Sequence, residues 1–246
     1  MFIFKTLSTN KFFLFLASLL FIDILFIGLH GISSLTIYIQ SQKFHLDIEG
    51  SYAEFFQYIK WAFIATLFVF FAYQKKYLGY FVGAFLFLYF LFDDSLGLHE
   101  AFGTQVFTPR FSELSPPFGL RVQDVGELIC SILVLSVFLP LSIFVYYKGT
   151  KQFKNLCCDM IFLLALFAFF GVFFDMLHAM IHLGWKVDFF MGLIEEAGEM
   201  AVASFMLGYL FFVICNPNFI HNKSIIQSMY EFVMTFHPKS TIRNTG

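Results

Sequence analysis

Apolar stretches about as long as a bilayer is thick recur along the whole chain, and this bounds what it can fold into. Backbone polar groups in lipid must be satisfied within the segment, so each stretch reads as a helix. The spans expected are 12–39, 55–74, 77–98, 124–147, 157–183 and 189–214. The fold class is therefore all-α, a polytopic membrane bundle of about six helices. Residues 1–215 form the transmembrane domain. Residues 216–246 form a tail, where Ile225, Ile226, Met229, Phe232, Val233 and Phe236 suit an amphipathic interfacial helix. The run after Lys5 and Lys11 is too long for a cleaved signal and reads as a retained span.

Only 13% of residues are charged, against about 25% in an ordinary soluble domain. A net charge of -2 implies no nucleic-acid partner, and the expected partners are membrane lipids. Cys130, Cys157, Cys158 and Cys215 form no CxxC pair, which argues against a disulfide framework or a zinc ribbon.

Ten of the 15 Lys and Arg fall in loops on one side of the predicted bundle. This topology puts Lys43, Lys60, Arg110, Arg121 and Lys186 on the other. The positive-inside rule then makes both termini cytoplasmic. The connections 40–54, 99–123 and 184–188 become extracytoplasmic. The expected location is a bacterial inner membrane, with any site facing outward.

Polar residues cluster at that outward face. The third span ends with Asp93, Asp94, Ser95, His99 and Glu100, and the fourth begins with Asp124 and Glu127. The fifth ends with Asp175, His178 and His182, and the sixth begins with Glu195, Glu196 and Glu199. Antiparallel succession brings these four ends to one membrane face. At about 100° per residue, Asp175, His178 and His182 fall on one narrow stripe. Asp23 and His30 share a face of the first span, either as interhelical glue or as part of a site.

No Lys or Arg lies inside the last four spans to balance these acids. Uncompensated charge in hydrocarbon costs several kcal/mol, so the carboxylates are protonated or surround a divalent metal. Imidazole with carboxylate suits zinc, iron or manganese. The candidate ligands are His99, His178, His182, Asp94, Asp175 and Glu199. Ser95, Glu100, Asp124 and Glu196 are the candidate catalytic groups. For Asp124 and Glu127 a first-turn role at the helix dipole is the alternative, and it is the preferred reading for Glu195.

Ser95-x-x-x-His99, an Asp opening the next span, and His178-x-x-x-His182 together resemble the alkaline ceramidase and adiponectin-receptor superfamily of intramembrane zinc hydrolases. The resemblance implies zinc held by His99, His178 and His182. It implies Asp124 binding directly or through water, Ser95 assisting, and hydrolysis of a lipid amide. Asp93, Glu100, Glu196 and Glu199 have no counterpart in that pattern. A carboxylate excess fits di-iron ligation in a helical bundle, which keeps a membrane oxidase or hydroxylase open. A proton or divalent-cation transporter, and a non-catalytic metal-binding protein, are the readings from other classes. Against transport, the cytoplasmic halves of spans four to six read as nearly pure apolar sequence, with Asp23 the deep exception.

Overall fold

A computed structural model describes residues 9–35, 41–180 and 184–216. The tail helix expected at 222–236 and the candidate ligand His182 lie outside the described residues. The chain is an all-α bundle, with no strand among the described residues. Its long helices are α1 (Thr9–Leu35), α2 (Tyr52–Lys75) and α3 (Tyr80–Leu96). A short α4 (Leu98–Ala101) and a π-helical stretch Phe102–Phe107 follow. Next come α5 (Val122–Lys148), α6 (Lys151–Ala168), a second π-helical stretch Phe169–Phe174, α7 (Asp175–Met180) and α8 (Trp185–Cys215).

Five helical segments are long and apolar enough to cross a membrane, or six if α3 and its bent continuation form one span. Polar flanks set where they begin. Ser51 caps α2 by accepting the Glu54 amide at 3.2 Å, and Thr150 caps α6 by accepting the Phe153 amide at 3.3 Å. Gly97, at φ 57°, ends α3 in the left-handed conformation that glycine adopts without strain. The chain then turns by 65° into Leu98–Phe107. A helical period carries no sign of this bend, so 99–123 reads from sequence as a plain connection.

α2 packs along α3, and α8 runs against α1, α2 and α6. Their shared core holds Trp61, Ile64, Phe68, Phe87, Leu156, Met206 and Leu210. By contrast, α5 buries only Asp124 and Gly126 and presents its apolar remainder outward. Gly126 lets α5 approach the Phe102–Phe107 stretch closely: a Cβ there would sit 2.8 Å from Gly103 Cα and Phe107 Cβ.

Two polar features inside the bundle correct the sequence reading. Lys60 is not a loop cation; it is completely buried in α2, where Nζ pairs with Asp23 Oδ1 at 2.7 Å and donates to Met200 O at 2.9 Å. Ser204 donates to the other Asp23 oxygen at 2.5 Å. Asp23 therefore joins α1, α2 and α8, the glue alternative. The loss of Lys60 from the outward loops leaves the direction of the charge bias unchanged. The end of the bundle away from the acidic cluster is also not purely apolar. Asn155 and Asp159 of α6 are buried there, and the Tyr209 hydroxyl donates to Asp159 Oδ2 at 2.6 Å.

A carboxylate-lined cavity as the candidate functional site

Five chain segments meet at one end of the bundle around a cavity of about 440 Å³. The turn before α2 and its first two turns contribute Asp47, Glu49, Glu54 and Gln57. The α3–α4 bend contributes Asp94, His99 and Glu100, and the start of α5 contributes Arg121, Gln123 and Glu127. Gly171 and Asp175 come from the second π-helical stretch and α7, and Glu195, Glu196 and Glu199 from α8. Ten carboxylates thus line the space, with the imidazole of His99 and the guanidinium of Arg121.

Helical spacing explains why α8 gives three acids to one wall, since positions three and four apart share a face. The second π-helical stretch lines the cavity through Gly171, and the first packs on the start of α5 through Gly103. Such local widenings of a helix often mark functional sites, because the extra residue re-aims the side chains around it. Here Gly171 leaves room for the Glu199 carboxylate, which occupies the position a Cβ would take. Gly103 does the same for Glu127, whose Cγ lies 2.9 Å from where a Cβ would be.

Several lining groups are already held by neighbours. Asp94 accepts the Trp61 indole N–H at 2.6 Å, which fixes the carboxylate at the cavity floor. Glu127 accepts from Gln123 Nε2 at 2.8 Å. Glu54 accepts from the Gly50 amide and the Tyr58 hydroxyl. His99 lies with Nδ1 3.1 Å from Asp93 Oδ2, and its backbone N–H donates to Asp93 Oδ1 at 3.0 Å. Asp93 thus supports His99 from behind the wall. Both amide atoms of Gln57 are buried without a hydrogen-bond partner. Buried amides left this way call for an occupant such as water or an ion.

The structure gathers Asp94, His99, Glu100, Asp175, Glu196 and Glu199 around one space. Three other candidates stand apart from the lining. Asp124 is buried, with Oδ1 accepting from Arg121 Nε and Nη2 at 2.9 and 2.6 Å and Oδ2 from the Arg121 amide at 2.8 Å. This is the first-turn capping role, and both oxygens are engaged. The pairing in turn holds the Arg121 guanidinium above its ordinary value. Ser95 is exposed and is not among the residues that line the cavity. His178 is not among the lining residues but lies beside Gly192 of α8, with Nδ1 3.5 Å from Glu195 Oε2.

Glu195 itself corrects the sequence reading. α8 begins at Trp185, so Glu195 lies well inside the helix and faces the cavity. Sequence reasoning also missed Asp47, Glu49 and Glu54. The available signal was the acid-dense run HLDIEGSYAE on the outward side of the predicted topology.

No curated protein and no solved structure matches the chain. A family model covers residues 45–213, which include every residue that lines the cavity. The chain belongs to that family, described as a domain of unknown function (DUF8692).

Proposed function

We propose that the protein is a multi-pass membrane enzyme that depends on divalent metal ions held in the carboxylate cavity, and that it hydrolyses a lipid at the extracytoplasmic face. The observation that carries this reading is the charge imbalance: ten carboxylates around about 440 Å³, against one imidazole and one guanidinium already paired with Asp124. Like charges at this density repel, and a low-dielectric surround strengthens the repulsion. Divalent cations neutralise them most economically, and the space leaves room for a substrate head group and water.

Oxygen donors dominate the lining, which fits manganese, magnesium or a carboxylate-bridged pair of ions better than a zinc ion held by three imidazoles. Glu195, Glu196, Glu199, Asp175 and Glu127 are the groups that would hold the ions; no three of them have ligand atoms within 4.8 Å of one another here, so they would have to draw together around an ion. Bound there, a divalent ion supplies Lewis-acid chemistry, polarising a carbonyl and acidifying water. Glu100 and His99, which both line the cavity, would serve as general base and general acid, with Asp93 orienting the His99 ring. A lipid amide remains the proposed substrate class. The ceramidase-like ligand set is the less favoured form of the proposal, because Asp124 is engaged by Arg121 and Ser95 is exposed and does not line the cavity.

The test is release of fatty acid from lipid amides and esters by protein reconstituted in vesicles, with and without a chelator. The expected result is chelator-sensitive hydrolysis that Glu196→Gln/Glu199→Gln abolishes. Protein that neither retains nor takes up any divalent metal would remove the reading.

One set of observations favours a second reading, cation or proton transport. Polar groups continue beyond the cavity along α8, first Lys60, Asp23 and Ser204, then Tyr209 and Asp159. Apolar Met206 and Leu207 separate the two groups along α8, so the series is interrupted. Ion flux in proteoliposomes distinguishes the two readings.

A further inference from the structure

At one corner of the cavity lies a cluster of a different chemical kind. His30 sits about one turn before the end of α1, and His45 and Asp47 follow in the turn that leads to α2. One potential ligand atom from each residue lies within 4.8 Å of the other two. Nδ1 of His30 and Nδ1 of His45 are 3.8 and 3.7 Å from the same Asp47 Oδ1. Among the described residues this is the one group of His, Cys, Asp and Glu side chains compact enough to hold an ion without large movement.

We propose that His30, His45 and Asp47 form a second metal site, distinct from the carboxylate cavity and selective for a borderline divalent ion such as Zn²⁺ or Co²⁺. Ligand atoms about 2.0–2.2 Å from a shared ion lie roughly 3–3.5 Å apart, so the His–Asp separations need to close by about 0.5 Å and no separation by more than about 1.5 Å. Two imidazoles and one carboxylate are a donor set for zinc, iron or cobalt, whereas the oxygen-rich cavity favours harder ions.

The surroundings give the site a buried side and an exposed side. His30 is buried and stacks on Phe189 of α8, with ring centroids 5.2 Å apart. Its Nδ1 accepts the Leu46 amide at 3.1 Å, so the lone pair already points at the turn that carries the other two ligands. His45 is half-buried and Asp47 is exposed. An ion entering from the exposed side exchanges the Leu46 hydrogen bond for a metal–nitrogen bond and draws the turn inward. Three protein ligands leave a fourth position for water or substrate. Asp47 also lines the cavity, so an ion here sits at its rim and ties α1 to the family-matched region 45–213.

Asp23 and His30, which share a face of α1, thus have separate fates. Asp23 is consumed by Lys60 and Ser204, and His30 turns to the 45–47 turn.

The test is Co²⁺ titration of the full chain in detergent, read by visible absorption, with hydrogen exchange at the Leu46 amide as a second readout. Wild type is expected to show d–d bands of nitrogen-ligated Co²⁺ saturating near one equivalent, displaced by Zn²⁺. Cobalt is expected to speed exchange at Leu46. His45→Ala, in the half-exposed turn, and Asp47→Asn should each weaken binding on the order of 100-fold. Glu196→Gln/Glu199→Gln should leave these bands intact. Equal Co²⁺ affinity in wild type and His45→Ala, or loss of the bands in Glu196→Gln/Glu199→Gln with retention in His45→Ala, would overturn the assignment and place cobalt in the cavity instead.

Discussion

Replacing Lys60 by Met should be among the most damaging single changes away from the cavity. The ammonium is completely buried, pairs with Asp23 at 2.7 Å and donates to Met200 O at 2.9 Å. The Met side chain fills a similar volume but removes both interactions, leaving Asp23 with Ser204 alone. Stripping one partner from a buried ion pair costs about 3–5 kcal/mol, because the remaining charge has no solvent. For a chain of this size that is a fall in melting temperature on the order of 10 °C. The companion Asp23→Leu should cost a similar amount. In Lys60→Met/Asp23→Leu both charges are gone, so most of the loss should return. Melting curves of the four proteins in detergent form a double-mutant cycle. A coupling energy below about 1 kcal/mol, the usual value for interhelical hydrogen bonds in membranes, would refute the view that this pair is a desolvated ion pair.

Other changes reach the cavity directly. Gly126→Ala should destabilise by about 1–3 kcal/mol in the same assay, since its Cβ would collide with Gly103 and Phe107 across a helix contact. Arg121→Ala removes the one guanidinium from the lining, so divalent-cation affinity should rise, measured by calorimetry. Acidification should weaken cation binding, because protons compete for the same carboxylates, and a titration repeated at successively lower pH checks the sign. Trp61 is buried and bonded to Asp94 at the cavity floor, whereas Trp185 is exposed. In a Trp185→Phe background, its emission should therefore change on cation loading, and Asp94→Asn should blunt that change.

The sequence carried the helices and the face on which the acids meet, because both follow from apolar length and alternating direction. Glu196, Glu199, Asp175 and Asp94 could be placed at a shared depth without coordinates. Features that depend on departures from helical regularity were not legible. The bend at Gly97 and the two π-helical stretches are single-turn changes of hydrogen-bond register, too short to show within apolar runs of this length. Lys60 read as a loop cation because α2 begins in a polar segment, and only packing against α1 and α8 reveals that segment to be interior. Asp124 opened a span as a metal ligand would, but its neighbour Arg121 folds back on it. The 41–51 turn escaped notice because short connections ordinarily face water; here it carries Asp47 and Glu49 into the cavity wall.

An experimental structure of protein soaked in Mn²⁺, with anomalous scattering recorded at the manganese edge, bears most directly on the cavity. Anomalous peaks among Glu195, Glu196, Glu199 and Asp175, lost in Glu196→Gln/Glu199→Gln, are expected. An empty cavity at saturating Mn²⁺, with its carboxylates hydrogen-bonded to one another through shared protons, would contradict a metal-binding role.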